Sequence, residues 1–445
     1  MTVLIKTLQV LLALSALIVL HELGHFTFAK IFGIRVDKFY LFFDVGGRRI
    51  FSTHSDWFRR LFPRSERWET EYGIGWLPLG GYCKIAGMVD ESMDMDSLKS
   101  EPQSWEFRSH PAWQRLLVMS GGVLFNFLGA IVVFSCMLWA QGQAYFVNDG
   151  ARIYVNELAY EMGFRTGDHI ISFDEYEPHD FGMLQADLAR RNVHKARVLR
   201  DGDTLDIYID RAMVSQVLQT PGMFDLAVPF VVDSVAAGTP NAGIGLLRGD
   251  RITAVDGVAV EFVQDSRSVL AGKTGSSVSL DIDRAGESHS FTAMVDTLGR
   301  LGIFSQLPPY TKRSYNALTA LPAGCKYTYT QIRDYLRDLR VVATPSTGAY
   351  KSVGSFIAIG QAFPSQWDWT RFLYMLALLS VMLGVMNLLP IPALDGGHIL
   401  FTLYELVTGR RPSDQFMYVM QIIGMFLILM LMVLAFGNDI GRLLK

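Results

Sequence analysis

The stretch Leu17-Ile18-Val19-Leu20-His21-Glu22-Leu23-Gly24-His25-Phe26 sits inside an apolar run from about Val3 to Phe32, in which Lys6 is the only charge before His21. Around 20 helical residues cross a hydrocarbon core of roughly 30 Å, so the run predicts a membrane-spanning helix that carries ionisable groups. A cleaved secretory signal is the competing reading, because Lys6 precedes the apolar residues. No small-residue cleavage site follows, and the run passes straight into the two histidines. Three further stretches, Leu116 to Asn148, Phe372 to Leu394 and Phe416 to Asn438, contain no charged residue and predict three more spans. The composition agrees, since half of the 445 residues are apolar and 19% are charged. A formal charge of −3 leaves no basic footprint for nucleic acid. Cys83, Cys136 and Cys325 are odd in number and far apart, which predicts neither a disulfide framework nor a cysteine metal site.

More than two hundred residues between the second and third stretches have strand-like alternation and turn signals, as soluble domains do. They contain a repeat. Gly163-Phe164-Arg165-Thr166-Gly167-Asp168-His169-Ile170 is matched 82 residues later by Gly245-Leu246-Leu247-Arg248-Gly249-Asp250-Arg251-Ile252, and each copy precedes a hairpin signal, Asp201-Gly202 or Ala285-Gly286. Two copies of one small β-rich module are expected. From Leu318 to Val342, Ile332, Tyr335, Leu336 and Leu339 recur at helical spacing; that amphipathic helix packs either on the soluble domains or on the membrane surface.

His21 and His25 stand four apart, so on a helix both imidazoles project from one face and can share a metal, with Glu22 beside them. Two neutral histidines, one further ligand and an open position for water make a hydrolytic zinc site in which the glutamate takes the proton. Ionisable groups within an apolar span are costly and mark function by default. A purely structural pair of histidines would leave Glu22 unexplained. At about 1.5 Å per residue from Lys6, His21 lies roughly 22 Å along the helix, inside the hydrocarbon. The third ligand should come from another span. Asp395 is the first ionisable residue after the third stretch, which Pro390 and Pro392 break; His398, three residues on, is its competitor.

The HExxH of the first span, Asn387-Leu388-Leu389-Pro390-Ile391-Pro392-Ala393-Leu394-Asp395-Gly396 closing the third, and the modules between them resemble the site-2 protease family of intramembrane zinc metalloproteases. The resemblance covers nearly the whole chain. The repeated segment is similar to part of the PDZ domain, whose sheet edge receives a peptide; the second copy ends Val255-Asp256-Gly257, and the first has Glu175 in place of that glycine. Glu71-Tyr72 to Pro78-Leu79-Gly80-Gly81-Tyr82 resembles the family's membrane re-entrant β-hairpin, an ordinary surface turn being the alternative. Gly122 to Asn126 resembles its GxxxN motif, with Val123 where a proline often stands. The resemblance implies one Zn2+ per chain on His21, His25 and Asp395, with Glu22 as base and His398 as a neighbour. It implies substrate contacts at Asn387, Pro390, Pro392, Gly80, Gly81 and Tyr82, and a PDZ groove or gate at Gly245, Leu246, Gly249 and Asp250. Its substrates would be transmembrane proteins, either an anti-sigma factor already shortened by another protease or remnant signal peptides.

The chemistry of that task is consistent, because a helix in lipid has its peptide groups internally bonded and must be unwound before a carbonyl can be attacked. A hairpin could pair with the freed strand. Arg59, Arg60, Arg64, Arg67 and Arg410-Arg411 put the loops that hold them in the cytoplasm, and the termini and PDZ pair in the periplasm. The expected architecture is a multi-pass α-helical protein of the bacterial inner membrane, with four transmembrane helices, a re-entrant β-hairpin, two PDZ domains in a periplasmic insert, and an active site within the bilayer towards the cytoplasm. Its divisions are 1–148, the first membrane half; 149–225 and 226–310, the PDZ modules; 311–370, a connecting helix and linker; and 371–445, the second membrane half. Two other classes compete. A PDZ scaffold would leave Glu22 and Asp395 idle, and a zinc transporter needs inverted repeats that the sequence lacks.

Overall fold

The computed structural model describes residues 2–88, 101–191, 193–220, 222–308 and 310–443. It divides into one unit of Met1–Gly142, Ser314–Leu339 and Val353–Lys445 and another of Gln143–Arg313 and Arg340–Ser352. The first apolar run is α1 (Thr2–Ile31), followed by β1 (Val36–Phe43), β2 (Arg49–Ser52), α2 (Asp56–Leu61), β3 (Glu71–Gly75), β4 (Leu77–Ile85) and α3 (Ala112–Gln141). The four strands form a sheet in the order β2-β3-β1-β4, with β1 parallel to β3 and antiparallel to β4.

That order corrects the expected hairpin. Gly80 and Gly81 lie within β4, and β3 does not pair with it. Trp76 alone separates the two strands, whereas a tight hairpin needs a loop of at least about two residues, so the chain passes round the end of β1 instead. Gly81 also brings β4 hard against α1, since a Cβ there would fall 2.5 Å from Ile18 Cγ2. The second apolar run is shorter as a helix than expected. Gly142 turns the backbone with φ +75, and Gln143–Phe146 is already a strand, β5.

The other unit begins with β5, which pairs with the strand at its far end. Its first module comprises β6 (Ile153–Val155), α4 (Glu157–Glu161), β7 (His169–Phe173), α5 (Leu184–Arg190), β8 (Lys195–Arg200), β9 (Asp203–Tyr208), α6 (Val214–Gln219) and β10 (Phe224–Leu226). The second comprises β11 (Val232–Val235), β12 (Arg251–Val255), β13 (Val258–Ala259), α7 (Val263–Leu270), β14 (Ser277–Arg284), β15 (Glu287–Met294) and β16 (Ile303–Ser305), before β17 (Tyr310–Arg313) returns to β5. Each module has its own core, around Ile153, Phe164, Leu184 and Val198 in one and Ile252, Leu280 and Ile282 in the other.

The sequence repeat is a repeated ion pair. Arg200 donates to both oxygens of buried Asp168, at 2.7 and 2.8 Å, and to the Gly163 carbonyl at 2.9 Å. Arg284 does the same to buried Asp250, at 2.7 Å twice, and to Gly245 at 2.9 Å. Gly249 donates to the Val232 carbonyl at 2.8 Å, so the backbone of this segment is committed within the module. Both hairpins, β8–β9 at Asp201-Gly202 and β14–β15 at Ala285-Gly286, have two positive φ values, as type I′ turns require.

The chain re-enters the first unit as α8 (Ala317–Val342), followed by α9 (Phe356–Ala362), α10 (Trp369–Leu388), α11 (Asp395–Thr408) and α12 (Asp414–Leu443). The apolar face of α8 lies on α3 and α10, with Tyr327, Ile332, Tyr335 and Leu339 against Phe134, Ala377 and Val381. Its last turn, with Val341 buried and Val342 beside it, joins the core of the first module, one of the two surfaces anticipated for the helix, and Leu336 stays exposed. Among the described residues, four helices, α1, α3, α10 and residues Gln415–Arg442 of α12, are long and apolar enough to cross a membrane.

Arg284 holds Asp250 below the ordinary carboxylate range, against the opposing effect of burial and with help from the Leu247 N–H. A depressed carboxyl contributes stability above its unfolded value of about 3.9, lost as pH falls through the lowered folded value. Arg284→Met leaves that carboxylate buried and unpaired. We expect hydrogen exchange of the full-length protein to show lost protection around residues 245–255, and Arg200→Met to do so around 163–173. Unchanged protection would contradict this account.

Candidate metal centre

The centre is assembled from α1, α3 and the start of α11. His21 and His25 are buried one turn apart on α1, and glycines let α3 reach them. A Cβ on Gly24 would fall 2.1 Å from the Gly121 carbonyl oxygen, and one on Gly122 would fall 2.5 Å from both His21 Cε1 and His25 Nε2. On the other side, α10 stops at Leu388 and Leu389 is extended, as a residue before proline prefers. The loop through Pro390 and Pro392 folds back so closely that a Cβ on Gly396 would meet the Leu389 carbonyl oxygen at 2.1 Å. The chain restarts as α11 with Asp395 as its first residue.

This brings three donor atoms together. His21 Nε2 lies 3.2 Å and His25 Nε2 3.4 Å from Asp395 Oδ2, and the two nitrogens are 3.3 Å apart. In a tetrahedral site, ligand atoms are separated by about 1.6 times the metal–ligand distance, which for Zn–N and Zn–O of about 2.0–2.1 Å is roughly 3.3–3.4 Å. The triangle therefore matches one face of a zinc tetrahedron. Asp395 Oδ2 is buried and makes no hydrogen bond among the described residues, a deficit that a cation would remove. His25 Nδ1 donates to the Val118 carbonyl at 2.9 Å, which leaves Nε2 with its lone pair for a metal. His398 lines the same cavity but lies outside the donor cluster found among the described residues.

The cavity beside the triad has a volume of about 450 Å³ and is lined by Glu22, Asn387, Gln421 and the consecutive residues Gly81 to Ile85 of β4. Cys83 of β4 and Glu22 of α1 line this cavity together. Tyr82 stacks on Tyr40 with centroids 5.5 Å apart, and its hydroxyl donates to Asp44 at 2.9 Å. Lys38 also donates to Asp44, at 3.0 Å. Asn387 Nδ2 is 3.3 Å from His21 Nε2. Gly80 lies against the Phe43 ring, where a Cβ would come within 2.5 Å, and Pro390 and Pro392 shape the loop before Asp395. Gly245, Leu246, Gly249 and Asp250 are in the other unit.

Sequence reasoning gave no role to Gln421, Asp44 or Cys83, and named Asn126 only within a motif. Gln421 and Asn126 had a legible signal as polar residues in otherwise apolar spans. Asp44 and Cys83 had none, because the sheet brings them to the cavity. Gly122→Ala should push the rings apart; overpacking of this kind costs about 1–3 kcal/mol, read as a roughly tenfold or larger loss of zinc affinity in chelator competition. Unchanged affinity would show that the close approach is not needed.

The sequence pattern of Peptidase family M50 matches residues 9–431. The chain is similar to Protease RseP of Yersinia pestis, with 28% identity over 478 residues that take in 100% of both chains. It is also similar to the Regulator of sigma E protease of Salmonella typhi, at 27% identity over 97% of this chain and 98% of that one. The Regulator of sigma-E protease RseP of Escherichia coli (strain K12) is 26% identical, with 97% and 98% covered. With the pattern matched over most of its length and a donor triangle of zinc dimensions, the chain belongs to peptidase family M50 and is a zinc-dependent metalloprotease.

Proposed function

We propose that this protease cuts transmembrane segments of other proteins within the bilayer, with His21, His25 and Asp395 holding the zinc and Glu22 as general base. The observation that carries this reading is the donor triangle, two of whose corners lie on a helix of spanning length, with Glu22 lining the adjoining cavity. Bound zinc supplies Lewis acidity that polarises a peptide carbonyl and acidifies water. Glu22, which lines the cavity beside the zinc ligands, takes the proton from the attacking water and delivers it to the leaving amine. The terminal strand β4 offers its outer edge to an unwound substrate strand, satisfying peptide groups that lipid cannot, and the Asn387 amide hydrogen-bonds that strand beside the zinc ligands.

The sheet that includes β4 takes the part of the re-entrant element, and the two β-rich modules act as PDZ domains that restrict which substrates reach the zinc. Several relatives are named for sigma E regulation. Those names support, for this chain, a membrane-anchored anti-sigma factor trimmed by another protease, or a remnant signal peptide, as substrate. The arginines of the loop after α1 and Arg410-Arg411 support an inner-membrane orientation with those segments cytoplasmic and the modules periplasmic.

One assay tests the chemistry and the filter together. Two substrates with the same membrane segment, one trimmed and one bearing a bulky ectodomain, are given to the purified enzyme. Glu22→Gln should lower cleavage of the trimmed substrate about 10²–10⁴-fold with zinc content retained, which neither a scaffold nor a transporter predicts. Asp395→Ala should lose zinc and His398→Ala should keep it; the reverse would reassign the third ligand. Equal cleavage of both substrates by the intact enzyme would sink the filter. Separately, in a background lacking the native cysteines, a cysteine at Ser413 should resist a membrane-impermeant thiol reagent in intact cells. Rapid labelling there would invert the topology.

A further inference from the structure

Asn126 is fully buried on α3, with Nδ2 3.0 Å from His21 Nδ1 and with Oδ1 buried and lacking a hydrogen-bond partner among the described residues. A neutral imidazole that offers Nε2 to a metal carries its proton on Nδ1. An amide NH2 at that position therefore sets donor against donor. Half a turn of the amide exchanges two atoms of nearly equal size, puts Oδ1 at the Nδ1–H and removes the orphan oxygen. The two histidines differ here. His25 Nδ1 is held by a backbone carbonyl, that of Val118, which side-chain substitution does not remove, whereas His21 Nδ1 is met by the side chain of residue 126. The backbone around Asn126 is itself tied down, because its carbonyl accepts from Ser380 Oγ on α10 at 2.8 Å.

We propose that Asn126 is a positioning residue for the metal: its side-chain carbonyl accepts the Nδ1–H of His21 and holds that ring in the tautomer whose Nε2 faces His25 and Asp395. The proposal rests on the reading of His21 as a zinc ligand. The opposite amide orientation favours the proton on Nε2 and closes that corner of the triangle to a metal.

Full-length protein in detergent is titrated with zinc against a chelator, and the histidine tautomers of the zinc-loaded protein are read from ¹⁵N shifts. Asn126→Leu should weaken zinc binding about 10–100-fold and diminish the Nδ1–H signal of His21. Asn126→Asp, which keeps an acceptor in the same shape, should restore both. In the unmutated protein a coupling between the His21 Nδ1–H and the Asn126 carbonyl is expected, and that measurement does not depend on a variant folding. Wild-type affinity in Asn126→Leu, no recovery in folded Asn126→Asp, or a wild-type His21 protonated at Nε2 would overturn the proposal. His21→Ala separates the two levels. If it leaves zinc affinity unchanged, the ligand assignment falls; if it abolishes binding while the Asn126 variants do not weaken it, the positioning role alone falls.

Discussion

Two imidazole nitrogens and a carboxylate oxygen, held 3.2–3.4 Å apart among apolar helices, are the constraint around which the membrane unit is built. Polar groups in such surroundings are tolerated only where they meet one another, and meeting at that distance leaves no room for side chains between the helices. Hence the glycines at 24, 121 and 122 on the facing surfaces of α1 and α3, and the glycines at 396 and 397 where α11 begins under its own loop. The break in α10 is part of the same requirement. A helix continued past Leu388 would carry Asp395 away from the triad, and the prolines forbid it.

Much of this was legible in the sequence. The HExxH pentapeptide, the two prolines and the four apolar runs each act through local chemistry that survives being read one residue at a time. The same holds for the hairpins at Asp201-Gly202 and Ala285-Gly286. Even the missing glycine at Glu175 is accommodated locally: the turn needs positive φ only at Asp174, φ 50, whereas the second module uses both Asp256, φ 48, and Gly257, φ 74.

The unread parts depend on partners distant in the chain. Nothing in Val36–Phe43 announces that β1 will lie between β3 and β4, because strand order is settled by the single-residue link at Trp76 and by packing against α1. The surface chosen by α8 was equally hidden. Its apolar stripe is visible, but a stripe does not say whether lipid, a soluble domain or other helices will cover it, and here α3 and α10 do. Asp168 and Asp250 stood out as a repeat, while their true partners, Arg200 and Arg284, lay beyond the repeated segment at the ends of strands.

The division of the donor set between α1 and α11 also bears on how the protein is made. His25 and Asp395 are 370 residues apart, and at about 5–20 residues per second roughly 20–70 s of translation separate them. Throughout that interval the nascent chain holds two histidines and a glutamate in its first helix but lacks the carboxylate that completes the triangle. The complete donor set therefore forms only after the intervening strands and helices, including β4 and the two modules, have been synthesised.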